Sequence, residues 1–549
     1  MAARSKEKVA VAMETQRSGR QNVFAWWDYP AFACLSALSA VAIAHFLVYW
    51  FTRPDWPEHP LTYTVLTLIL LGVLLNHQGR WYLLLFMRNP PVVPAKPGWR
   101  VAVVTTFVPG SESIEMLRHT LKALVRLDYP HDTWVLDEGD AEEVRALCQS
   151  MGANHFSRKN RPEYNADEGR LRSASKPGNY NAWLTEIGYQ RYDVLTALDP
   201  DHVLDAPFLS SVLGYFDDPA IGYVQAPQAY YNHSASFIAR GAAEESYGFY
   251  SYGQMACYGL GSTTVIGSHN THRLSALREV GGFADHDADD LMITLLYRRA
   301  GWRGVYVPRI LARGLAPVDW PGYLGQQRRW ARSVLDVKVR ILPRLADNLP
   351  LTTRLLSLLH GLHYLSTSFI IPTMLGLLAL ALATGSLPEV ASAQGFWRFG
   401  VLYAVLQVAG LYQQRFSLDW HRERGLHWRV VLLQMAKWPY VILSALDVLL
   451  GRQFPYALTA KVQPASRRHV LLWPSVGVFA VISLAWAVGI STHAMFDVEL
   501  HVLCAVVLII TVVLLLSEQL SWPAPFDPGL RSRESHEASR DDAGYDIRR

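Results

Sequence analysis

Long apolar segments lie at both ends of this chain, and a stretch of mixed polarity separates them. Ala31–Phe51 holds about 20 nearly all apolar residues, enough to cross the hydrocarbon core of a bilayer as a helix. Leu61–Met87 is predicted to be a second span. Because a backbone in lipid must satisfy its polar groups within itself, these segments can hardly be anything but helices. From 100 to 345 the chain is instead typical of a water-exposed α/β domain.

Apolar character returns after the middle domain. Four more spans are predicted there, at Leu355–Leu382, Trp397–Leu411, Val470–Ile490 and His501–Leu516. A further apolar segment, Val430–Leu450, carries Gln434, Lys437 and Asp447, so it could span the membrane or lie in the interface as an amphipathic helix. The interfacial reading is preferred because it places every basic segment on one face of the membrane.

The basic segments set the predicted orientation. Arg80–Arg100, Arg415–Arg429 and Arg452–Arg468 would face the cytoplasm, whereas the loops Gly385–Gln394 and Ser491–Asp497 contain no Lys or Arg. We therefore predict a multi-pass protein of the inner (plasma) membrane, with the middle domain and both termini in the cytoplasm. The predicted organisation begins with a cytoplasmic segment at 1–29 and two spans within 30–88. A catalytic domain follows at 95–345, with interfacial helices at its end. Four spans within 355–517 are accompanied by an interfacial helix at 429–450 and a loop at 452–465, and a disordered cytoplasmic tail occupies 521–549.

Charge and cysteine content exclude several classes of protein. A net charge of +4 over 549 residues does not indicate a nucleic-acid partner. The four cysteines have no C-x-x-C spacing, which argues against a zinc site or a disulfide framework. The polar N-terminus shows no apolar region followed by a cleavage site, so no cleaved signal peptide is expected.

Acidic residues follow two of the strands predicted in the middle domain. Trp134–Leu136 ends at Asp137, and Val194–Leu198 ends at Asp199. Strands that alternate with helices predict a mostly parallel sheet, and ligands bind such sheets at the carboxyl ends of the strands. These acids are therefore candidates for a binding site.

The D-x-D formed by Asp199 and Asp201 is a candidate cation site. Two close carboxylates can hold a magnesium or manganese ion, which can bridge the phosphates of a nucleotide sugar and stabilise a departing diphosphate. A solvated turn is the alternative. Asp137, with Glu138 beside it, could bind a nucleobase or ribose, or could be an ordinary acid at a strand end.

Two further clusters carry candidate chemistry. Asp285, Asp287, Asp289 and Asp290 precede a helical run; they could stabilise its N-terminus, or one of them could take a proton from an acceptor hydroxyl. In the segment 326–330, with sequence QQRRW, arginine can clamp phosphate and tryptophan can stack on a sugar ring. An interfacial anchor explains this second pattern equally well.

The order of these elements resembles the processive inverting family 2 glycosyltransferases of the cellulose, chitin and hyaluronan synthase superfamily. Their signature is D, D-x-D, T-E-D and Q-x-x-R-W. Matching residues are Asp137; Asp199 and Asp201; Asp289 and Asp290; and Gln326, Arg329 and Trp330. Shorter matches begin at Lys176, in KPGNYN, and at Val224, in VQAPQ, which is similar to the cellulose synthase branch. Tyr456–Lys461 resembles the gating-loop motif F-x-V-T-x-K.

The resemblance implies a GT-A-type α/β domain inserted between transmembrane helices and a role for each matching residue. Asp290 is the expected catalytic base, since it lies eleven residues before Gly301 in a segment similar to R-x-G-(Y/W); Asp287 is the alternative. The other implied roles are donor binding by Asp137, Glu138, Lys176, Asp199, Asp201, Gln326 and Arg329, acceptor binding by Trp330 and Asp289, and a gating loop with Thr459 and Lys461. The implied metal is Mg²⁺ or Mn²⁺, held by Asp199 and Asp201.

Some positions depart from the family pattern. Glu138 replaces a second aspartate, Pro109–Glu112 lacks the Tyr and Asn of P-T-Y-N-E, and Val265–Ser268 replaces F-C-G-S/T near the acceptor. The nucleobase contact and the acceptor preference are therefore open. The short tail after the last span also predicts that this chain has no cyclic di-GMP domain.

The function expected from the resemblance is a membrane-bound processive β-glycosyltransferase. It would polymerise sugar from a nucleotide-diphosphate donor, with UDP-glucose favoured, and extrude the growing β-glycan across the lipid bilayer. One alternative is a transferase that adds a single sugar to a lipid or short glycan. Another is a transport or scaffold protein with an inactive transferase domain. The sugar, its linkage and any accessory subunits are not visible in the sequence.

Overall fold

A seven-stranded sheet forms the centre of the middle domain in the computed structural model, which describes residues 19–52, 58–385, 392–452, 469–492 and 498–517. The strands are β1 Val101–Phe107, β2 Asp132–Asp137, β3 Asn154–Phe156, β4 Val194–Leu198, β5 Ile221–Gln225, β6 Asn270–Arg273 and β7 Arg303–Tyr306. Their spatial order is β7-β5-β6-β4-β1-β2-β3. Only β6 runs antiparallel to its neighbours, and the other pairs are parallel.

Helices cover both faces of this sheet. Strand β1 is apolar at almost every position because its side chains alternate between two buried clusters: Val103 packs with Leu121 and Phe208 on one face, and Val104 packs with Trp183 on the other. The main helices of the domain are Ile114–Leu124, Glu142–Met151, Lys176–Trp183, Phe208–Leu213, Phe237–Gly248, Gln254–Gly259, Leu274–Glu279, Asp289–Arg299 and Trp320–Asp336.

A second, three-stranded sheet lies beside the end of β4. Ala312–Gly314 pairs with Val203–Leu204 on one side and with Ala229–Tyr230 on the other. Since Val203 follows the D-x-D directly, this pairing holds the D-x-D loop against the chain near Leu315.

Six described helices are long and apolar enough to cross a membrane, by length and composition alone. They are Asp28–Thr52, Pro60–Phe86, Leu351–Thr384, Trp428–Leu449, Trp473–Thr492 and Val498–Leu516. Five of these coincide with predicted spans. The sixth, Trp428–Leu449, corresponds to the segment that the sequence predicts to lie in the interface.

Two helices leave the span count open. Ala393–Gln413 corresponds to a predicted span and packs along Asp28–Thr52, but it is not among the six candidates. Its Arg398 lies inside the helix and contacts His45 Nε2 at 3.0 Å. Trp428–Leu449 packs along Trp320–Asp336 of the middle domain, as an interfacial helix would. Six spans with this helix in the interface therefore stays a prediction.

The predicted fold class, an α/β domain between transmembrane helices, is confirmed. The predicted gating-loop residues Thr459 and Lys461 lie outside the described residues, as do most of the predicted N-terminal segment and the whole predicted tail.

Candidate active site

The D-x-D loop begins where strand β4 ends and is held from several sides. The backbone N–H of Asp199 donates to Ser268 Oγ at 3.1 Å, and Thr120 Oγ donates to the carbonyl of Pro200 at 2.6 Å. Lys176 Nζ donates both to Asp199 Oδ1, at 2.6 Å, and to the carbonyl of Gly267, at 2.7 Å. The Asp199 carboxylate therefore faces the cavity next to a fixed cation.

The second carboxylate of the D-x-D is deeply buried. Asp201 is 1% exposed; its Oδ2 accepts the Leu315 N–H at 3.2 Å, and its Oδ1 lies 3.2 Å from His202 Nδ1. Asp199, Asp201 and His202 each bring one possible ligand atom within 4.8 Å of the others. Carboxylate oxygens suit hard cations, so this donor set fits Mg²⁺ or Mn²⁺.

Asp137 and Glu138, the predicted pair at the end of β2, lie in two different environments. Asp137 is fully buried and does not line the cavity; its carboxylate accepts the N–H groups of Gly139 at 2.8 Å and Ala141 at 2.6 Å. These bonds close the turn after the strand. Glu138 does line the cavity, and both its oxygens accept from the guanidinium of Arg158.

Arg158 ties together the side of the cavity that carries Glu138 and Lys176, and sequence reasoning missed it. Its side chain is fully buried and donates to the carbonyls of Tyr164, Arg172 and Ser175 as well as to Glu138. Ser175 in turn caps the helix that starts at Lys176, so one guanidinium fixes both Glu138 and the start of this helix. A lone arginine in a polar loop gives no sequence signal for such a role.

The four candidate aspartates differ in their partners. Asp285 lies 3.0 Å from the guanidinium of Arg172, and Asp287 lies 2.9 Å from that of Arg332. Asp289 and Asp290 instead begin the helix Asp289–Arg299 at the cavity wall. Asp287 also lines the cavity, but its charge and that of Asp285 are compensated by arginines, whereas Asp289 and Asp290 have no arginine partner among the described residues.

Burial changes the acidity of the second pair. Burial is the main cause that raises the pKa of Asp289 to about 7; the charge of Lys176 opposes this rise, and the neighbouring charges of Asp290 and Asp199 add to it. Burial also raises the pKa of Asp290, although its Oδ1 accepts the Leu291 N–H at 2.7 Å. A carboxylate with a raised pKa is a stronger base than an exposed one, as proton abstraction requires.

The helix Trp320–Asp336 presents the Q-x-x-R-W motif to the cavity. Asp319 caps the helix by accepting the Gly322 N–H at 2.9 Å. Gln326, Arg329 and Trp330 are spaced i, i+3 and i+4, so they share one face of the helix, and all three line the cavity. The neighbouring Gln327 is buried and also lines the cavity.

A polar network forms the membrane-side wall of the cavity. The Glu245 carboxylate accepts from the hydroxyl of Tyr323 at 2.8 Å, from the amide of Gln434 and from the ammonium of Lys437. The network joins the helices Phe237–Gly248, Trp320–Asp336 and Trp428–Leu449. Sequence reasoning noted Gln434 and Lys437 only as polar residues of an ambiguous apolar segment, and it missed Glu245.

Aromatic residues complete that wall. Phe249 stacks on His360, with ring centroids 5.8 Å apart, and Tyr364 packs edge-on against His360 at 5.6 Å. His363, on the same helix, also lines the cavity and contacts Arg80 at 2.8 Å. The sequence analysis did not single out Phe249.

A single cavity of about 880 Å³ brings most of the predicted site residues together. It contains Glu138, Lys176, Asp199, Asp201, Asp289, Asp290, Gln326, Arg329 and Trp330. It extends from the carboxyl ends of the strands to the candidate membrane helix Leu351–Thr384, and its volume is within the range of small-molecule binding sites.

The family described as "Glycosyl transferase family group 2" matches residues 194–412. "Cellulose synthase 1" of Komagataeibacter xylinus is 30% identical over 302 residues, which cover 52% of this chain and 18% of that protein. "Cellulose synthase catalytic subunit [UDP-forming]" of Xanthomonas axonopodis pv. citri is 29% identical over 271 residues, which cover 48% of this chain and 35% of that protein. The chain thus spans well under half the length of these relatives.

Among solved structures, a mannosyltransferase of Pyrobaculum calidifontis in complex with GDP-Man and Mn²⁺ is similar, with 16% identity and a TM-score of 0.43. The match covers 77% of this chain and 99% of that one.

Residues 194–412 are therefore similar to the family 2 glycosyltransferases, and the predicted resemblance is confirmed at this level. Its curated relatives are cellulose synthases, with about 30% identity over half of the chain.

Proposed function

We propose that this protein is a processive, inverting β-glycosyltransferase that polymerises sugar from a nucleotide-diphosphate donor, UDP-glucose being the first candidate, and moves the glycan across the membrane. The observation that carries the proposal is the single cavity that joins the D-x-D, Asp290 and the Q-x-x-R-W motif to a membrane helix. The relatives named as UDP-forming cellulose synthases support the choice of donor.

The donor end of the cavity binds the nucleotide sugar. Asp199 and Asp201 would hold a magnesium or manganese ion, which neutralises charge on the diphosphate when bound. Glu138, fixed by Arg158, and Lys176, beside Asp199, line the same end. Asp137 acts through the turn that it closes, since its own carboxylate is turned away from the cavity.

Asp290 is the proposed base. Its Oδ2 lies close to Gly267, since a Cβ added at Gly267 would be 3.4 Å from that oxygen, and the carbonyl of Gly267 accepts from Lys176. Asp290 is thus separated only by Gly267 from Lys176, one of the residues at the donor end of the cavity. Its carboxylate takes the proton of the acceptor hydroxyl, the acceptor oxygen bonds to the anomeric carbon, and the bond to the diphosphate oxygen breaks with inversion.

The Q-x-x-R-W helix serves both substrates. Arg329 faces the diphosphate that leaves, where a fixed positive charge stabilises the transition state, and Gln326 lies one turn earlier on the same face. Trp330 offers a ring on which the terminal acceptor sugar stacks, with Asp289 at the adjacent wall. These positions are the ones that the family resemblance assigned.

The membrane-side wall favours a glycan acceptor over a hydrocarbon chain. Glu245, His363 and Tyr364 offer hydrogen-bonding groups, and Phe249 offers an aromatic face. Polyhydroxylated sugars can form further hydrogen bonds with such polar groups, whereas a lipid tail would displace water from them without replacing its hydrogen bonds. This mixture supports repeated addition and passage of the polymer along the helix Leu351–Thr384.

The orientation that fits this function has the catalytic domain in the cytoplasm, where nucleotide sugars are available, and the glycan leaving through the inner membrane. The helix Trp428–Leu449 would lie in the interface, and Thr459 and Lys461 would close over the donor. An Arg415 side chain 2.9 Å from Asp28 and the exposed Trp26 and Trp27 fit a cytoplasmic interface at this level.

The test uses the purified chain in lipid vesicles with Mn²⁺ or Mg²⁺ and radiolabelled UDP-glucose, UDP-N-acetylglucosamine or GDP-mannose. The expected result is a long product from one donor, identified with linkage-specific glycosidases and abolished by chelation of the metal. A Trp330→Ala variant should make no polymer while still inserting into the membrane. A short lipid-soluble adduct, or no incorporation from any donor, would contradict the proposal.

A further inference from the structure

His202 has one ring nitrogen bound and one without a partner. Nδ1 lies 3.2 Å from a carboxylate oxygen of Asp201, which can only accept, so Nδ1 carries the proton. Nε2 therefore has a free lone pair. It is buried, and no atom of the described residues forms a hydrogen bond with it.

His269 repeats the same arrangement from another loop. Its Nε2 lies 2.9 Å from the carbonyl oxygen of Ala226 and 3.1 Å from that of Pro227, so Nε2 carries the proton. Nδ1 is buried and has no hydrogen-bonding partner within the described part of the chain. His269 is completely buried, so its lone pair has also lost contact with bulk water.

The two rings are neighbours, with centroids 5.6 Å apart and planes tilted by 32°. Two imidazoles that each bind one cation through nitrogen at about 2.1 Å have ring centres roughly 5–6 Å apart. The observed separation therefore suits a shared cation. A histidine that binds a metal commonly donates its other N–H to a carboxylate or a backbone carbonyl, which is what both residues do.

Gly314 packs against the face of the His202 ring. A Cβ added at Gly314 would come within 2.5 Å of Nε2, and its three closest neighbours would all be atoms of the His202 ring. Only glycine fits at this position without displacing the ring, so Gly314 fixes the place of the imidazole.

The backbone at His269 is held in an unfavourable conformation. Its φ is +41°, in the left-handed region that residues other than glycine rarely adopt. The preceding Ser268 accepts the backbone N–H of Asp199, so this turn also supports the D-x-D loop. Strained backbone of this kind tends to occur where a side chain must be held for function.

We propose that His202 and His269 form a two-nitrogen cation position next to the D-x-D, which takes a transition-metal ion such as Co²⁺ or Zn²⁺ in preference to Mg²⁺. Imidazole nitrogen suits the later first-row metals, whereas Mg²⁺ prefers oxygen ligands. The bound ion would hold the D-x-D loop in place through His202 and His269. Its role in sugar transfer rests on the proposed function, but its binding does not.

The test measures Co²⁺ binding to the full-length protein in lipid nanodiscs by visible absorption and calorimetry, with no sugar donor present. His269→Asn removes the lone pair and leaves a side chain that tolerates positive φ. We expect it to weaken Co²⁺ binding at least tenfold and to change the absorption spectrum, while Mg²⁺ binding stays as in the wild type.

His272→Asn is the matched control. His272 is equally buried, but its two ring nitrogens lie 3.0 Å from the Tyr297 hydroxyl and 2.7 Å from Asn270 Oδ1. We expect this variant to bind Co²⁺ as the wild type does. Gly314→Ala places a methyl group against the His202 ring and displaces it without removing a ligand, so this variant should also weaken Co²⁺ binding.

Wild-type Co²⁺ binding in both His269→Asn and Gly314→Ala would overturn the inference and indicate an ordered water at this position. Loss of Co²⁺ binding in these two variants, in a protein that transfers no sugar from any donor, would keep the metal position and overturn the proposed function instead.

Discussion

Two parts of one short acidic segment have opposite environments. In the loop at 285–287, each carboxylate is matched by an arginine, Asp285 by Arg172 and Asp287 by Arg332. At the start of the next helix, Asp289 and Asp290 face the cavity, and burial raises their pKa values. The same residue type therefore serves here to hold a loop and, three residues later, to present a base. The arginine partners of Asp285 and Asp287 and the burial of Asp289 and Asp290 separate the two roles.

The largest expected effect is on the rate of sugar transfer, and it tests directly whether the base lies at Asp290 or in the loop at 285–287. Asp290→Asn should lower the rate of sugar transfer by roughly 10²–10⁴-fold, because it removes the group that takes the acceptor proton. The measurement is polymer formed per enzyme at saturating donor. Asp287→Asn is the control and should retain most activity. Normal polymer from Asp290→Asn together with none from Asp287→Asn would make Asp287 the base.

The pH dependence of transfer should report the raised pKa of the base. Burial raises the pKa of Asp290, so this carboxylate is protonated at higher pH than an exposed aspartate, and the transfer rate should begin to fall at a correspondingly higher pH as pH drops. Asp289→Asn removes a neighbouring negative charge and should move the fall in rate to lower pH. Asp287→Asn should shift the profile less, and an equal shift in both variants would remove the distinction between the two parts.

Removing the arginine partner of Asp287 should mainly reduce the stability of the loop at 285–287. Arg332→Gln leaves Asp287 without the guanidinium that lies 2.9 Å away, in a partly buried place. We expect the free energy of unfolding to fall by roughly 1–3 kcal/mol. Thermal unfolding in detergent measures this, and Arg332→Gln combined with Asp287→Asn should recover part of the loss. No recovery would show that Arg332 stabilises the fold through other contacts.

The smallest effect is a gain in stability. The folded protein holds the proton of Asp289 up to about pH 7, whereas the unfolded chain releases it near pH 4, so ionisation of this group opposes folding as pH rises between these values. Asp289→Asn should therefore raise the unfolding temperature at pH 8 and have little effect at pH 4. An equal change at both pH values would contradict a raised pKa.

The sequence predicted the parts of the site that depend on local order. Strand ends followed by acids, and the spacing of Gln326, Arg329 and Trp330, carry information that a linear pattern preserves, because neighbouring residues share a strand end or a helix face. The structure brings these residues into one cavity. The role of Asp137 shows the limit, since its carboxylate closes a turn instead of facing the cavity.

Long-range pairings could not be predicted in the same way. Arg158 reaches Glu138 across 20 positions, and Glu245 reaches Lys437 across 192. Nothing in either local pattern marks these partners, because each contact depends on how two distant elements pack. The sequence cannot distinguish a span from an interfacial helix at Trp428–Leu449 for the same reason. The length and apolarity of this helix fit both, and its contacts with Trp320–Asp336 are visible only in the folded structure.

The helix Leu351–Thr384 has 34 residues, so it is about 51 Å long, whereas the hydrocarbon core of a bilayer is about 30 Å thick. The part of this helix that carries His360 forms a wall of the cavity. A thinner or thicker bilayer changes the tilt that such a helix needs to match it. We therefore expect lipid chain length to change the rate of synthesis even with every site residue unchanged.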